Sequence, residues 1–360
     1  DEVNDLPVRL QIMGEDLVVF RDGSNNVGVL ELHCTHRGTS LEFGLVETKG
    51  IRCCYHGWLF DTDGRILEMP AEPPDSTYKD RLCQGAYPTH EYKGLIFVYM
   101  GPPDLIPPFP RYDAFEVPGY RITVGTKNVK HCNWLQVMDN VVDPVHEVFL
   151  HARVSNIHFT DPSGRLLTEL ADIGEFDFVE TPVGIMCVEA RRVEGDIWTR
   201  IIELICPNIA QVAPPPNLPP TYQDGKQLVC VLPRIFRWRV PQDDFNTLEF
   251  TFVRVPDHEE DEYTKNPGFA TQVQLAGRDR PYEERQRYPG DYEAQVGQRP
   301  IARHALEHLA TTDRGVIMYR NIIRQSIRAL EKGDDPKGLI RVKDKIIPTY
   351  GNDTVTRVPR

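Results

Sequence analysis

Cys34-x-His36 is answered, sixteen residues further on, by Cys53-x2-His56, so each of two short turns offers one soft thiolate and one imidazole. Two thiolates and two imidazoles delivered from paired loops suit a two-iron, two-sulfur (2Fe-2S) cluster with both imidazoles on one iron. Neutral imidazoles leave less negative charge on such a cluster than four thiolates, so its reduction potential rises. A tetrahedral structural zinc site is the alternative for the same residue types. Zinc sites commonly pair Cys with Cys and His with His, whereas each half here is mixed. Cys54 also precedes His56 and competes with Cys53 on residue type alone.

A second constellation is Asn140-x2-Asp143-x2-His146-x4-His151. Two imidazoles on a short helical segment, joined by a carboxylate from elsewhere, make the 2-His-1-carboxylate face of a non-heme Fe(II) site. Three ligands on one face leave adjacent positions open for dioxygen. Alone, an H-x4-H pair is a weak signal, and Asp143 reads as an ordinary helix cap.

These residues need a scaffold. At 360 residues the chain has room for two domains. A net charge of −12 argues against nucleic acid or an anionic membrane as partner. The first residues, Asp1-Glu-Val-Asn-Asp, show neither the basic start nor the apolar core of a signal peptide. The apolar run Gly94–Gly101 is far shorter than the ~18 residues of a membrane span and reads as a buried strand. Cys83, Cys132, Cys187, Cys206 and Cys230 are scattered, as buried free thiols would be, and a cytoplasmic location is expected.

Strands are expected at Val8–Ile12, Leu17–Phe20 and Val27–Leu30, with a hairpin at 58–67 turning on Asp61-Thr-Asp-Gly64. A strand at 94–100 closes a small all-β domain, and Pro107-Pro-Phe-Pro110 reads as its exit linker, with the boundary near 118. The second half begins with a strand at 120–124. A helical pattern over Trp134, Val137, Met138, Val141 and Val145 follows, broken at Pro144, with Asp143 as N-cap of the restart. Residues 164–255 are strand-rich, 213–220 is a proline loop, and 257–263 is a charged turn. Helices are expected over 299–310 and 313–332, the latter with apolar residues at 316, 323, 327 and 330.

His36-Arg37-Gly38 and Tyr55-His56-Gly57-Trp58 closely resemble the two cluster loops of ring-hydroxylating oxygenases. With the 140–151 segment, Trp238–Asp244 and Glu307–Val316, the whole chain resembles the oxygenase α component of Rieske non-heme iron oxygenases. The likeness is to the phthalate-dioxygenase-like and aromatic O-demethylase branch. The resemblance implies an α+β chain: an all-β Rieske domain (1–118), then a helix-grip catalytic domain (119–360) of antiparallel sheet with helices.

It also implies Cys34, His36, Cys53 and His56 as cluster ligands, and Asp313 beside His146 and His151 as the third ligand of a mononuclear Fe(II). Asp313 has a rival reading as a helix N-cap, and Glu307, Asp279 and Asp291 follow it as candidates. A homotrimer, or a dimer of trimers, is implied. In it Asp143 bridges His56 of one subunit and His146 of the next, while Asn140 lines the iron pocket. Electrons come from NAD(P)H through a separate reductase or ferredoxin, since no G-x-G-x-x-G fingerprint is present.

The expected activity is hydroxylation or O-demethylation of a small aromatic, carboxylated substrate. Ring cis-dihydroxylation is one alternative, and a Rieske electron carrier fused to a non-catalytic ligand-binding domain is another. A substrate carboxylate would want an arginine fork, for which Arg191, Arg192, Arg200, Arg234, Arg237 and Arg239 are candidates.

Overall fold

The computed structural model describes residues 2–155, 172–193, 196–212, 230–231, 233–258 and 280–356. The proline loop at 213–220, Asp279 and most of the charged turn at 257–263 lie outside the described residues. The chain divides into two compact units, Asp1–Pro107 and Pro108–Arg360.

In the first unit, apolar runs punctuated by turn residues give the antiparallel strands β1 (Val8–Ile12), β2 (Glu15–Arg21) and β3 (Val27–Glu31). A second antiparallel sheet runs β4 (Leu45–Glu47), β5 (Gly50–Arg52), β6 (Leu59–Phe60) and β7 (Ile66–Glu68). The β6–β7 hairpin forms where expected, because Asp61 Oδ1 accepts from the N–H groups of Asp63 and Arg65 at 3.0 and 2.8 Å. β8 (Thr89–Tyr92) pairs with β9 (Leu95–Val98), which is half-buried throughout rather than buried. Cys34 and Cys53 belong to one core with Val18, Phe20, Leu30, Leu32, Leu41, Ile51, Trp58 and Phe60. The two cluster turns are thereby seated on packed apolar side chains.

The second unit begins earlier than residue 118, and packing explains why. β10 (Arg111–Tyr112) pairs in parallel with β19 (Ile346–Ile347). Phe115 sits among Phe236, Trp238 and Phe252 at ring-centroid distances of 4.7, 5.6 and 5.6 Å.

Among the described residues one antiparallel sheet of nine strands dominates this unit. Its members are β11 (Tyr120–Lys130), β12 (Glu175–Glu180), β13 (Gly184–Val193), β14 (Asp196–Ile205), β15 (Ile209–Val212), β16 (Cys230–Val231), β17 (Ile235–Pro241), β18 (Thr247–Pro256) and β20 (Asn352–Thr356). They run β11-β18-β17-β15-β14-β13-β12, with β20 paired to β14 and β16. The helices are α1 (Trp134–Asp139), α2 (Tyr282–Arg287), α3 (Asp291–Val296) and α4 (Arg314–Glu331).

Helix α4 lies on the sheet. Val316, Tyr319 and Ile322 pack with Ile185, Cys187, Ile202 and Leu204 and with Met138, Val141 and Val142. Each such side chain contributes about 1.5–3 kcal/mol of hydrophobic stabilisation. The approach is close enough that a Cβ on Gly315 would come within 2.3 Å of the Phe178 ring and 2.5 Å of the Val142 carbonyl oxygen. Arg320 ties the helix to α1 by donating to Asp139 at 2.6 Å, and it also pairs with Glu307.

Three expectations are corrected. Residues 299–310 form no α-helix, only a short 3₁₀ turn at His304–Leu306. Arg299 has φ +85°, and the backbone there is committed to α1: Asn133 N–H donates to Pro300 O and Ala302 N–H to Gln136 Oε1. Ile327 and Leu330 are 52% and 59% exposed, since the face of α4 that meets the core is the one carrying residues 315, 316, 319, 320 and 322. Cys83 is exposed, not buried; Cys132, Cys187 and Cys206 are buried free thiols as expected.

Candidate metal centres

The first centre is built from one backbone device used twice. Cys34 N–H donates to Thr39 O and Gly38 N–H returns to Cys34 O, at 2.9 and 2.8 Å. Cys53 N–H likewise donates to Trp58 O and Gly57 N–H to Cys53 O, at 2.9 and 3.0 Å. Each turn closes on a glycine in the left-handed region, Gly38 at φ +76° and Gly57 at +75°, which explains the glycine two residues after His36 and one after His56. The imidazoles of His36 and His56 meet with ring centroids 4.5 Å apart, and His36 stacks on Trp58 at 4.4 Å. Arg52 holds the second turn by donating to Gly57 O at 2.6 Å while paired with Glu47 and Glu68.

This set fits a cluster. Burial pushes the Cys34 thiol up to about 11, and the neighbouring Cys53 adds to the rise, while the backbone N–H groups of His36 and Arg37 oppose it. His36 Nδ1 is buried with no hydrogen-bond partner. An orphaned buried nitrogen costs about 1–3 kcal/mol, which ligation to iron would remove. Cys53 is buried and Cys54 is exposed, so burial separates the two thiols that residue type could not.

The second centre draws on three elements. Asp143 has extended backbone, and its Oδ1 accepts from Val145 N–H at 3.0 Å, so it caps the helix that restarts at Pro144, as expected. That helix then widens into a π-helix over Glu147–Val154. In an α-helix residues five apart lie on different faces, at 100° per residue. A helix closed by i→i+5 bonds, such as Ser155 N–H to Leu150 O at 2.9 Å, brings them over one another. This is how an H-x4-H pair converges: His146 and His151 have ring centroids 5.2 Å apart.

The carboxylate that meets them is Asp291. Among the described residues, the ligand atoms of His146, His151 and Asp291 lie within 4.8 Å of one another. Asp291 Oδ1 is 3.1 Å from His151 Nε2 and 3.7 Å from His146 Nε2. Two atoms each about 2.1 Å from one ion and at right angles are about 3 Å apart, so the spacing suits a shared metal. Burial alone would raise the Asp291 carboxyl, but His151, with His146 and Lys130, holds it well below the usual carboxylate range. The two imidazole nitrogens and one carboxylate oxygen match the donor set of a non-heme iron site.

Asp313, the ligand implied by the resemblance, is elsewhere employed. Its carboxylate accepts from Ala310 N–H at 2.6 Å in the 3₁₀ turn before α4; Asp313 stands at the N-cap position of that helix, but its side chain makes no capping bond to it. Glu307 is paired with Arg320. Asn140 is at the site, donating to Asp291 Oδ1 at 3.3 Å. His146 Nδ1 donates to the backbone carbonyl of Asp143, which leaves Nε2 as the ligating nitrogen.

Residues that no motif marks hold this geometry. Glu147, next to His146, pairs with Arg200 of β14 at 3.1 Å, both buried. Ser155 Oγ donates to Pro289 O, two residues before Asp291. Gln136 of α1 donates to Gln295 O at 2.8 Å, fixing α3. The arginine candidates for a substrate carboxylate are otherwise engaged or outward-facing. Arg191 pairs with Glu189, Arg200 with Glu147, and Arg237 and Arg239 with Glu249, while Arg192 and Arg234 are exposed.

Residues 1–88 match the Rieske [2Fe-2S] domain. The chain is 40% identical over its whole length to the oxygenase subunit of tert-butanol monooxygenase / tert-amyl alcohol desaturase from Aquincola tertiaricarbonis, covering 77% of that protein. It is 35% identical over 99% of its length to the α subunit of phenoxybenzoate dioxygenase from Ectopseudomonas oleovorans, covering 87% of it. In fold it is similar to NdmA from Pseudomonas putida CBB5 (a QL mutant with theobromine), at a TM-score of 0.68 and 19% identity, covering 96% of this chain and 92% of that one.

Proposed function

Because the chain belongs to the Rieske non-heme iron oxygenases, as an oxygenase subunit, we propose that it hydroxylates or O-demethylates a small, carboxylated aromatic. In this reading His146, His151 and Asp291 hold the mononuclear iron, and Cys34, His36, Cys53 and His56 hold the cluster. The convergence of three separated ligands, one of them 140 residues beyond the histidine pair, is the observation that supports catalysis over a simple electron carrier.

When bound, the two iron groups supply electron relay and dioxygen activation. The chain's own residues orient and exclude. Asp143 and Asn140 fix His146 and Asp291 from outside the ligand set. The π-helix presents both imidazoles to one side and leaves the other side of the site to dioxygen and substrate. Electrons are drawn from NAD(P)H through a separate reductase or ferredoxin, and the overall balance is RH + O2 + NAD(P)H + H+ → ROH + H2O + NAD(P)+. On a methoxy carbon the same hydroxylation gives a hemiacetal, which loses formaldehyde. A cytoplasmic location and a homotrimer belong to the same proposal, and no described helix is long and apolar enough to cross a membrane.

A second reading, a small tertiary alcohol as substrate, is favoured by one observation, the 40% identity to the tert-butanol enzyme subunit. A panel of methoxybenzoates, phenoxybenzoate and tert-butanol, scored for formaldehyde, cis-diol, alcohol product and free peroxide, separates the two. Coupled turnover of an aromatic acid is the expected outcome. Turnover of tert-butanol alone selects the second reading, and peroxide from every compound discards both.

In the trimer Asp143 joins the cluster of one subunit to the iron of the next. Asp143→Asn should therefore retain both metal centres and lose at least tenfold in the single-turnover rate of electron transfer between them. An unchanged rate removes the bridge.

A further inference from the structure

Gln84 lies beyond both cluster loops in sequence and belongs to no ligand motif, yet it is 1% exposed and commits both polar atoms of its side chain to the first loop and the strand leading into it. Its Oε1 accepts from Thr35 N–H at 2.7 Å. Its Nε2 donates to Glu31 O at 2.8 Å and to His33 O at 3.0 Å. One amide thus closes three backbone segments: the end of β3, the residue before Cys34 and the residue after it.

Thr35 stands between the ligands Cys34 and His36, and the next two backbone N–H groups, of His36 and Arg37, lie within the turn that Gly38 N–H closes on Cys34 O. Pinning the Thr35 amide fixes the chain from which those two donors are aimed. Hydrogen bonds to cluster sulfurs are one of the levers that set reduction potential, since they stabilise the extra negative charge of the reduced form. Among the described residues the second loop has no equivalent side-chain amide; it is held from its far end, by Arg52 on Gly57 O.

We infer that Gln84 is a positioning residue for the cluster, holding the first loop so that the His36 and Arg37 amides donate to Cys34 and keep the cluster potential high. This rests on the reading of Cys34, His36, Cys53 and His56 as ligands. An amide side chain is required because the site needs one acceptor and two donor directions at once, which neither Glu nor an apolar isostere supplies.

The test is Gln84→Met in the full chain, with Cys83→Ser, a neighbour that makes none of these bonds, as control. Gln84→Met should keep a Rieske EPR signal with displaced g-values. Its electron affinity should fall about tenfold, a midpoint about 59 mV more negative for a one-electron couple, with Cys83→Ser at the wild-type value. A wild-type potential and g-values in Gln84→Met overturn the inference. Absence of the signal from the wild-type protein as well would instead overturn the ligand assignment. Should Gln84→Met not fold, hydrogen exchange of the peptide containing Thr35 in the oxidised wild type decides: Thr35 is an exposed residue, so slow exchange of its amide supports the clamp and fast exchange overturns it.

Discussion

Asp291→Ala should eliminate turnover and the mononuclear iron while leaving the Rieske signal at full strength, and Asp313→Asn should change neither. Loss of a partner outside the ligand set already lowers metal affinity or activity 10–100-fold, so losing a ligand should exceed about 100-fold. In Asp291→Ala the two imidazoles remain, His146 just before the π-helix and His151 within it, but the carboxylate that draws them together is gone, and with it the charge that favours an iron cation. Asp313 is in a different position. Its carboxylate satisfies the Ala310 N–H, a service an asparagine oxygen still performs. Even Asp313→Ala should cost only about 1.5–3 kcal/mol of stability, the usual value of one hydrogen bond to a charged group. Iron content and single-turnover product in the two variants check the contrast. Iron lost from Asp313→Asn and kept in Asp291→Ala would reverse the ligand assignment.

The second large effect is expected at Arg200. Its side chain is 1% exposed and pairs with Glu147, itself 7% exposed at the side chain, directly beside the proposed ligand His146. Removing one member of a buried pair leaves the other charge uncompensated and costs about 3–5 kcal/mol, whereas replacing both by groups of similar volume can be nearly neutral. Arg200→Met should therefore destabilise the protein by about that amount. Adding Glu147→Gln should recover most of the loss rather than add to it. Urea denaturation of the two single variants and the double variant measures the coupling. Additive losses would mean that the pair is not the element seating the π-helix on β14. Glu189 and Asp353 are buried beside the same arginine and both pushed up to about 7 by burial, so loss of Arg200 removes a stabilising charge from each.

How much of this was legible beforehand depended on distance along the chain. The four residues assigned to the cluster stand out because they fall within 23 positions and each turn carries its own glycine. Asp143 as a cap and the break at Pro144 were readable because capping and proline chemistry are local. The π-helix was only implicit: a five-residue spacing between two histidines makes sense as one face only if the helix is widened. Asp291 could not be ranked first. It opens a six-residue helix after Pro289-Gly290, a weak local signal, whereas Asp313 opens an eighteen-residue one.

What selects Asp291 is tertiary: Ser155 on Pro289, Gln136 on Gln295 and Arg280 and Arg285 on Glu293 bring α3 to the histidines. The same limit applied to the expected helix at 299–310. Pro300 and the bonds to Asn133 and Gln136 commit that backbone to another path. The pairing of Arg191 with Glu189, two residues away on β13, is local, whereas Glu147 and Glu249 meet Arg200, Arg237 and Arg239 only through long-range packing.

The measurement that bears most directly on two separate iron sites is the ratio of iron to acid-labile sulfide in fully loaded protein, taken on the wild type and on Asp291→Ala. We predict iron in excess of sulfide in the wild type, with that excess absent from Asp291→Ala and the sulfide unchanged. Equal iron and sulfide in an active wild-type protein, or an excess that survives Asp291→Ala, would contradict a mononuclear centre held by His146, His151 and Asp291.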